Sequence, residues 1–112
     1  MKIYIAGKIT GLCLDEANWN FNVAESMLRS LGHEPINPLR LHAAKDDWEW
    51  ADYLMADIAL VLREAEAIYM LSNFRDSQGA RIEHAIAREL GIPVFYAATL
   101  LAVNGKQSQV TG

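Results

Sequence analysis

The segment AIYMLSNFRDSQGARIEHAIARELGIPVFYAA, Ala67 to Ala98, reads as strand, loop, helix and strand in succession. AIYML (67–71) is a short apolar run of strand length, and SNFRDS is a polar loop. In the helix that follows, Gly79, Ala80, Ile86, Ala87 and Leu90 stand at −4, −3, +3, +4 and +7 from Glu83, which makes them one stripe. Arg81 and Arg88 fall on the opposite face. Gly91 and Pro93 end the helix, and IPVFYAA (92–98) is the second strand. Strands joined by a helical crossover run parallel, so this segment sets the fold class.

Upstream the same alternation continues. KIYIAG (2–7) is short, β-branched and apolar, a buried strand closed by glycine. Asp15 is expected to cap a helix that runs to Leu31, with Phe21, Ala24, Leu28 and Leu31 inside and Gly32 as its stop. HEPINP (33–38) is a short extended piece, and another helix runs from Asp46 or Asp47 to about Arg63. The order β-α-β-α-β-α-β predicts a single α/β domain, a Rossmann-like doubly wound parallel sheet of four to five strands with helices on both faces. The domain is placed at residues 1–103, with 104–112 as a frayed tail. With strand order 2-1-3-4, the ligand crevice lies between the loops after strands one and three. Those loops are GKITG (7–11) and SNFRDSQG (72–79).

Bulk composition narrows the function. The chain has 112 residues, 52% of them hydrophobic and 21% charged, which is globular and enough for one core. A net charge of −4 argues against polymeric nucleic acid as a partner. A lone Cys13 makes no internal disulfide, and no Cys/His spacing suggests a metal site or cofactor. No apolar run reaches the roughly 18 residues of a membrane span, so a cytoplasmic protein is expected.

Glu83 is the residue that invites chemistry. A helix glutamate ordinarily snorkels to water, yet this one sits at the centre of the apolar stripe beside Gly and Ala. Asp57 repeats the arrangement on the preceding helix, among Trp50, Tyr53, Leu54, Leu60 and Val61. The plain alternative for Asp57 is a hydrogen bond to a tyrosine or to backbone in the core. Two such acids flanking one strand suggest a shared site. In the loops, Asp76 or Ser77 can cap the glutamate helix, and Gly79 lets the backbone turn into it. The same geometry aims N–H groups at an anionic or hydroxyl ligand. Gly7, Lys8 and Thr10 supply the first loop, which fits neither a dinucleotide fingerprint nor a Walker A motif. His33 and His42 have no partner at ligand spacing, His84 points about 100° from Glu83 toward the rim, and Trp48 and Trp50 read as core or as a frame for a base.

YIAGKITG, the Asp57 helix and DSQGARIE together resemble the nucleoside 2-deoxyribosyltransferase-like superfamily, and within it a small phage and bacterial branch that is a domain of unknown function. The likeness spans about Met1 to Tyr96. It implies cleavage or exchange at the N-glycosidic bond of a (deoxy)nucleoside or nucleoside 5′-monophosphate. Glu83 matches the nucleophile that attacks the anomeric carbon, and Asp57 an aspartate near base and sugar. Tyr4 matches a strand-one tyrosine, Ser77 and Gly79 a phosphate-binding loop, and Asp76 falls near a second acid with spacing one residue off. Lys8 and Thr10 depart from the serine and arginine of the monophosphate hydrolases. The resemblance also implies homodimers or higher homo-oligomers, and the surplus apolar residues Trp19, Trp48 and Trp50 fit that. A nucleotide-binding module without turnover and a protein of assembly are the competing readings.

Overall fold

A computed structural model gives the fold and describes residues 1–42, 45 and 47–97. Its four strands are β1 (Lys2–Ala6), β2 (Glu34–Ile36), β3 (Ala67–Met70) and β4 (Val94–Tyr96). They form one all-parallel sheet in the order β2-β1-β3-β4. The helices are α1 (Leu14–Ser30), a single-turn α2 (Pro38–Leu41), α3 (Trp50–Arg63) and α4 (Gln78–Glu89), with a 3₁₀ turn at Phe74–Asp76. The expected fold class and strand order are observed. Ala98 at the end of the last expected strand, Asp46, and the 103/104 boundary with its tail lie outside the described residues.

Side chains alternate across the sheet and build two cores. Ile3, Ile5, Ala67 and Tyr69 turn to one face, where Phe21, Ala24 and Leu28 of α1 cover them. Tyr4, Ala6, Ile68 and Met70 turn to the other, where Val61 of α3 and Ala80 and Ala87 of α4 pack. A strand buried on both faces has no polar side to spare, which is why β1 and β3 read as continuous apolar runs.

Helix ends follow local chemistry, with corrections. Cys13, not Asp15, is the N-cap of α1, and it makes no side-chain cap bond. Asp15 lies in the first turn, where its charge suits the helix dipole. Gly32 and Gly91, at φ +88° and +73°, take the left-handed turn after α1 and α4. His33 N–H then bonds Leu28 O and Ile92 N–H bonds Ala87 O, the 6→1 closure of a Schellman stop. The inner stripes end sooner than expected: Leu31 and Leu90 are the C-cap residues of α1 and α4 and are exposed. The third helix starts at Trp50, not near Asp46 or Asp47, because Asp52 reaches back to accept the Glu49 N–H at 2.8 Å.

Glu25 is buried on α1 and ties α2 in place. Its carboxylate accepts from Arg40 at 2.8 Å, Arg29 at 3.0 Å and Asn37 at 3.1 Å. Burial alone would raise its pKa, but the hydrogen bonds from Arg40, Asn37 and Arg29 outweigh it and hold the group below the ordinary range. Among the described residues, no helix is long and apolar enough to cross a membrane.

Gly7, where β1 meets its loop, has a steric reason to be glycine. A Cβ there would stand 2.5 Å from Leu71 Cδ1 and 2.8 Å from Leu71 Cβ. Gly7→Ala is therefore expected to lower stability by about 1–3 kcal/mol in urea unfolding, the usual cost of forcing a packed core apart. An unchanged midpoint would show that Leu71 yields without cost.

Candidate active site

The crevice at the carboxyl ends of β1 and β3 is a cavity of about 520 Å³. Its position follows from topology: α1 covers one face beside β1 and α4 the other beside β3, so the loops diverge between them. Asn73 joins the two loops, its Oδ1 accepting the Lys8 N–H at 3.0 Å. Tyr4, Gly7, Thr10, Asp57, Ser77, Gly79 and Glu83 all line this cavity.

Glu83 is 5% exposed. The stripe around it places it against the sheet, where Tyr4 O–H donates to Oε2 at 2.7 Å. Tyr4 is itself fully enclosed in the middle of β1, opposite Ile36 and Ile68. Desolvation pushes the Glu83 carboxyl up to about 8; the Tyr4 hydrogen bond opposes that rise and the Asp57 charge adds to it. Burial likewise raises Asp57 to about 7. Tyr4 is driven well above the ordinary phenol range by burial, then by the charges of Glu83 and Asp57, so it stays a donor. The two acids therefore titrate as a pair within one cavity, and between about pH 7 and 8 they hold a single proton.

Open space above the acids comes from small residues. A Cβ on Gly79 would meet Leu54 at 3.6 Å and Trp50 at 3.9 Å, ordinary contacts that fill part of the cavity. Ser77 is the N-cap of α4, its Oγ accepting the Ala80 N–H at 3.1 Å, which settles the choice between Asp76 and Ser77. The first N–H groups of α4 have no partner within the helix, and this end faces the cavity.

Residues 1–96 match a family described as Domain of unknown function (DUF4406). The chain belongs to that family. No curated protein and no solved structure matches it.

Two expected site residues of this DUF4406 chain lie elsewhere. Lys8 does not line the cavity; its side chain lies alongside Gly11, where an added Cβ would stand 3.5 Å from Cε. Asp76 is exposed on the 3₁₀ turn, one residue before the true cap. His84 does not face the site either: its Nε2 lies 2.6 Å from Tyr96 Oη and its ring packs on Phe74, tying α4 to β4.

The DUF4406 site also contains residues that the sequence did not single out. Asn18 and Leu14 of α1 contribute to its wall, beside Trp50, which was expected as core or as a frame for a base and is half exposed on the lining. Most consequential is His42, whose Nε2 lies 3.4 Å from Asp57 Oδ1. Asp57 makes no hydrogen bond to tyrosine or backbone among the described residues, so the plain structural reading of that acid has no partner here. No group of three or more His, Cys, Asp or Glu side chains stands at metal-ligating geometry among the described residues.

Proposed function

We propose that this chain cleaves or transfers at the N-glycosidic bond of a (deoxy)nucleoside or nucleoside 5′-monophosphate, with Glu83 as nucleophile. The observation that carries the reading is the Tyr4–Glu83 hydrogen bond, buried at the wall of a cavity that Asp57 shares. A cavity of about 520 Å³ is of small-molecule size. Glu83 attacks the anomeric carbon while the C–N bond breaks and its electron pair leaves with the base. Asp57 gives the departing base its proton. Water or a second base then resolves the glycosyl ester.

This scheme needs one ionised and one protonated acid, the state the pair occupies between about pH 7 and 8. In the empty site that proton rests on Glu83, at about 8 against about 7 for Asp57, so the productive form, with Glu83 ionised and held by the Tyr4 O–H, is the minor one of the pair. Among the described residues that line the cavity there is no Lys or Arg, so a 5′-hydroxyl is better accommodated than a 5′-phosphate.

Incubation with deoxynucleosides and their 5′-monophosphates, with free base read by chromatography, tests this. Base release is expected from nucleosides ahead of monophosphates, with a bell-shaped pH profile centred between about 7 and 8. No free base from either class retires the proposal. One observation favours a nucleotide- or nucleoside-binding module instead: burial leaves Glu83 mostly protonated at neutral pH in the empty site. Saturable binding without product selects that reading.

A further inference from the structure

His42 is left unused by the reaction above. Among the described residues, its Nε2 is buried without a hydrogen bond, and it lines the same cavity. The imidazole and the Asp57 carboxyl are 18% and 15% exposed and lie 3.4 Å apart, out of hydrogen-bond alignment. Buried polar groups seek partners, and catalytic hydrogen bonds that are loose in an empty site tighten when ligand binds.

The placement of His42 is built, not incidental. It closes α2, its N–H donating to Pro38 O at 2.9 Å. Asn37 caps the start of that turn by accepting the Leu39 N–H at 3.1 Å. Arg40 anchors it to Glu25, and the Trp48 ring flanks the imidazole at 6.0 Å between centroids. Among the described residues, the titratable groups set against Asp57 are Tyr4 of β1, Glu83 of α4 and His42. Tyr4 already directs its O–H to Glu83. His42, with Nε2 at 3.4 Å from Oδ1, is a donor within reach of Asp57. Burial, and then the charge of Lys45, hold its pKa below the usual imidazole range, so at neutral pH it carries one N–H.

We propose that His42 is a positioning residue for Asp57, a role that rests on the N-glycosidic reading: its Nε2–H donates to Oδ1 and turns Oδ2 toward the departing base. When the glycosidic bond breaks, the proton on Oδ2 moves to a nitrogen of the base, and the carboxylate that remains accepts from His42 Nε2–H. The imidazole keeps its own proton throughout.

The test compares wild type with His42→Gln, which keeps an N–H near the Nε2 position, and His42→Phe, which keeps a ring without one. In the ligand-free protein, the Asp57 carboxyl is titrated by ¹³C NMR. Its midpoint is expected to rise by about one pH unit in His42→Phe, because a donor to the carboxylate is gone, and to hold in His42→Gln. A fall, or no change, in His42→Phe overturns the assignment. If that variant fails to fold, ¹⁵N NMR of the wild-type ring decides: a bare Nδ1 is expected, and a bare Nε2 overturns it. In turnover, His42→Phe is expected to lower kcat by about tenfold or more with KM little changed, and His42→Gln to recover most of that loss. The NMR arms need no turnover, so absent base release defeats the N-glycosidic reading while the contact stands or falls on its own titration.

Discussion

Glu83→Gln is expected to abolish base release while leaving the cavity intact. The amide has the shape of the carboxyl, and its oxygen can still accept the Tyr4 O–H that Glu83 accepts at 2.7 Å. What it lacks is a nucleophilic oxygen able to form the glycosyl ester. For a residue that makes the covalent intermediate, a loss of at least about 10³-fold in kcat is expected. Binding of the nucleoside, followed by calorimetry, should survive within a few-fold, because the amide removes no wall of the cavity. Glu83→Ala should lose turnover equally, which separates the missing nucleophile from any misplacement of the amide. Rapid quenching of wild type should yield a sugar adduct on the peptide that contains Glu83, and neither variant should give one. Turnover within tenfold of wild type in either variant would place the nucleophile elsewhere.

Much of this was written in the sequence, because the fold rests on local periodicity. Alternating apolar strands and striped helices announced the parallel sheet, and Gly32 and Gly91 announced where α1 and α4 stop. Glu83 was legible for the same reason: a helix wheel fixes which face a residue occupies, and this one faces the sheet. Loops have no such periodicity. Lys8 and Asp76 lie within the two crevice loops, but a side chain one position along a turn can point to solvent, and both do not reach the cavity. His42 was illegible for a different reason. It follows a helix of four residues whose place is set by Glu25, seventeen positions upstream, through Arg40 and Asn37. Only one signal for that network was available: a glutamate beside Ala24, on the inner stripe of α1. The start of α3 had a readable sign in the Glu49 and Asp52 spacing, which marks a helix entrance more reliably than the nearer aspartates.

Stability is expected to fall as pH rises from 5 to 9, and Glu83 is expected to be the main cause. In the unfolded chain its carboxyl ionises near the ordinary value of 4.5, whereas in the folded protein burial holds the proton to about 8. Asp57 behaves alike, from 3.8 to about 7. Between these limits the folded state binds more protons than the unfolded state, so stability decreases with pH. The stabilisation is complete below about pH 4 and gone above about pH 8, where ionised Glu83 sits against the sheet. For Glu83 the effect is about 2–5 kcal/mol, a large share of the roughly 5–15 kcal/mol that holds a domain together. Glu25 has the opposite sign: its pKa is depressed, so its contribution is lost only in acid, outside this window. Urea unfolding at pH 5, 7 and 9 measures the slope. Glu83→Gln should match wild type within about 1 kcal/mol at pH 5 and exceed it at pH 9, because the amide has no charge to bury. The falling slope that remains belongs to Asp57 and should go when Asp57→Asn is added, leaving the opposite, rising contribution of His42 and His84, whose pKa values burial depresses. Parallel curves for wild type and Glu83→Gln would mean that the carboxyl is solvated in the folded protein, and the buried pair would lose its basis. A gain in stability from removing the acid would show that packing does not require Glu83 at that position, which is the condition expected of a residue retained for its chemistry.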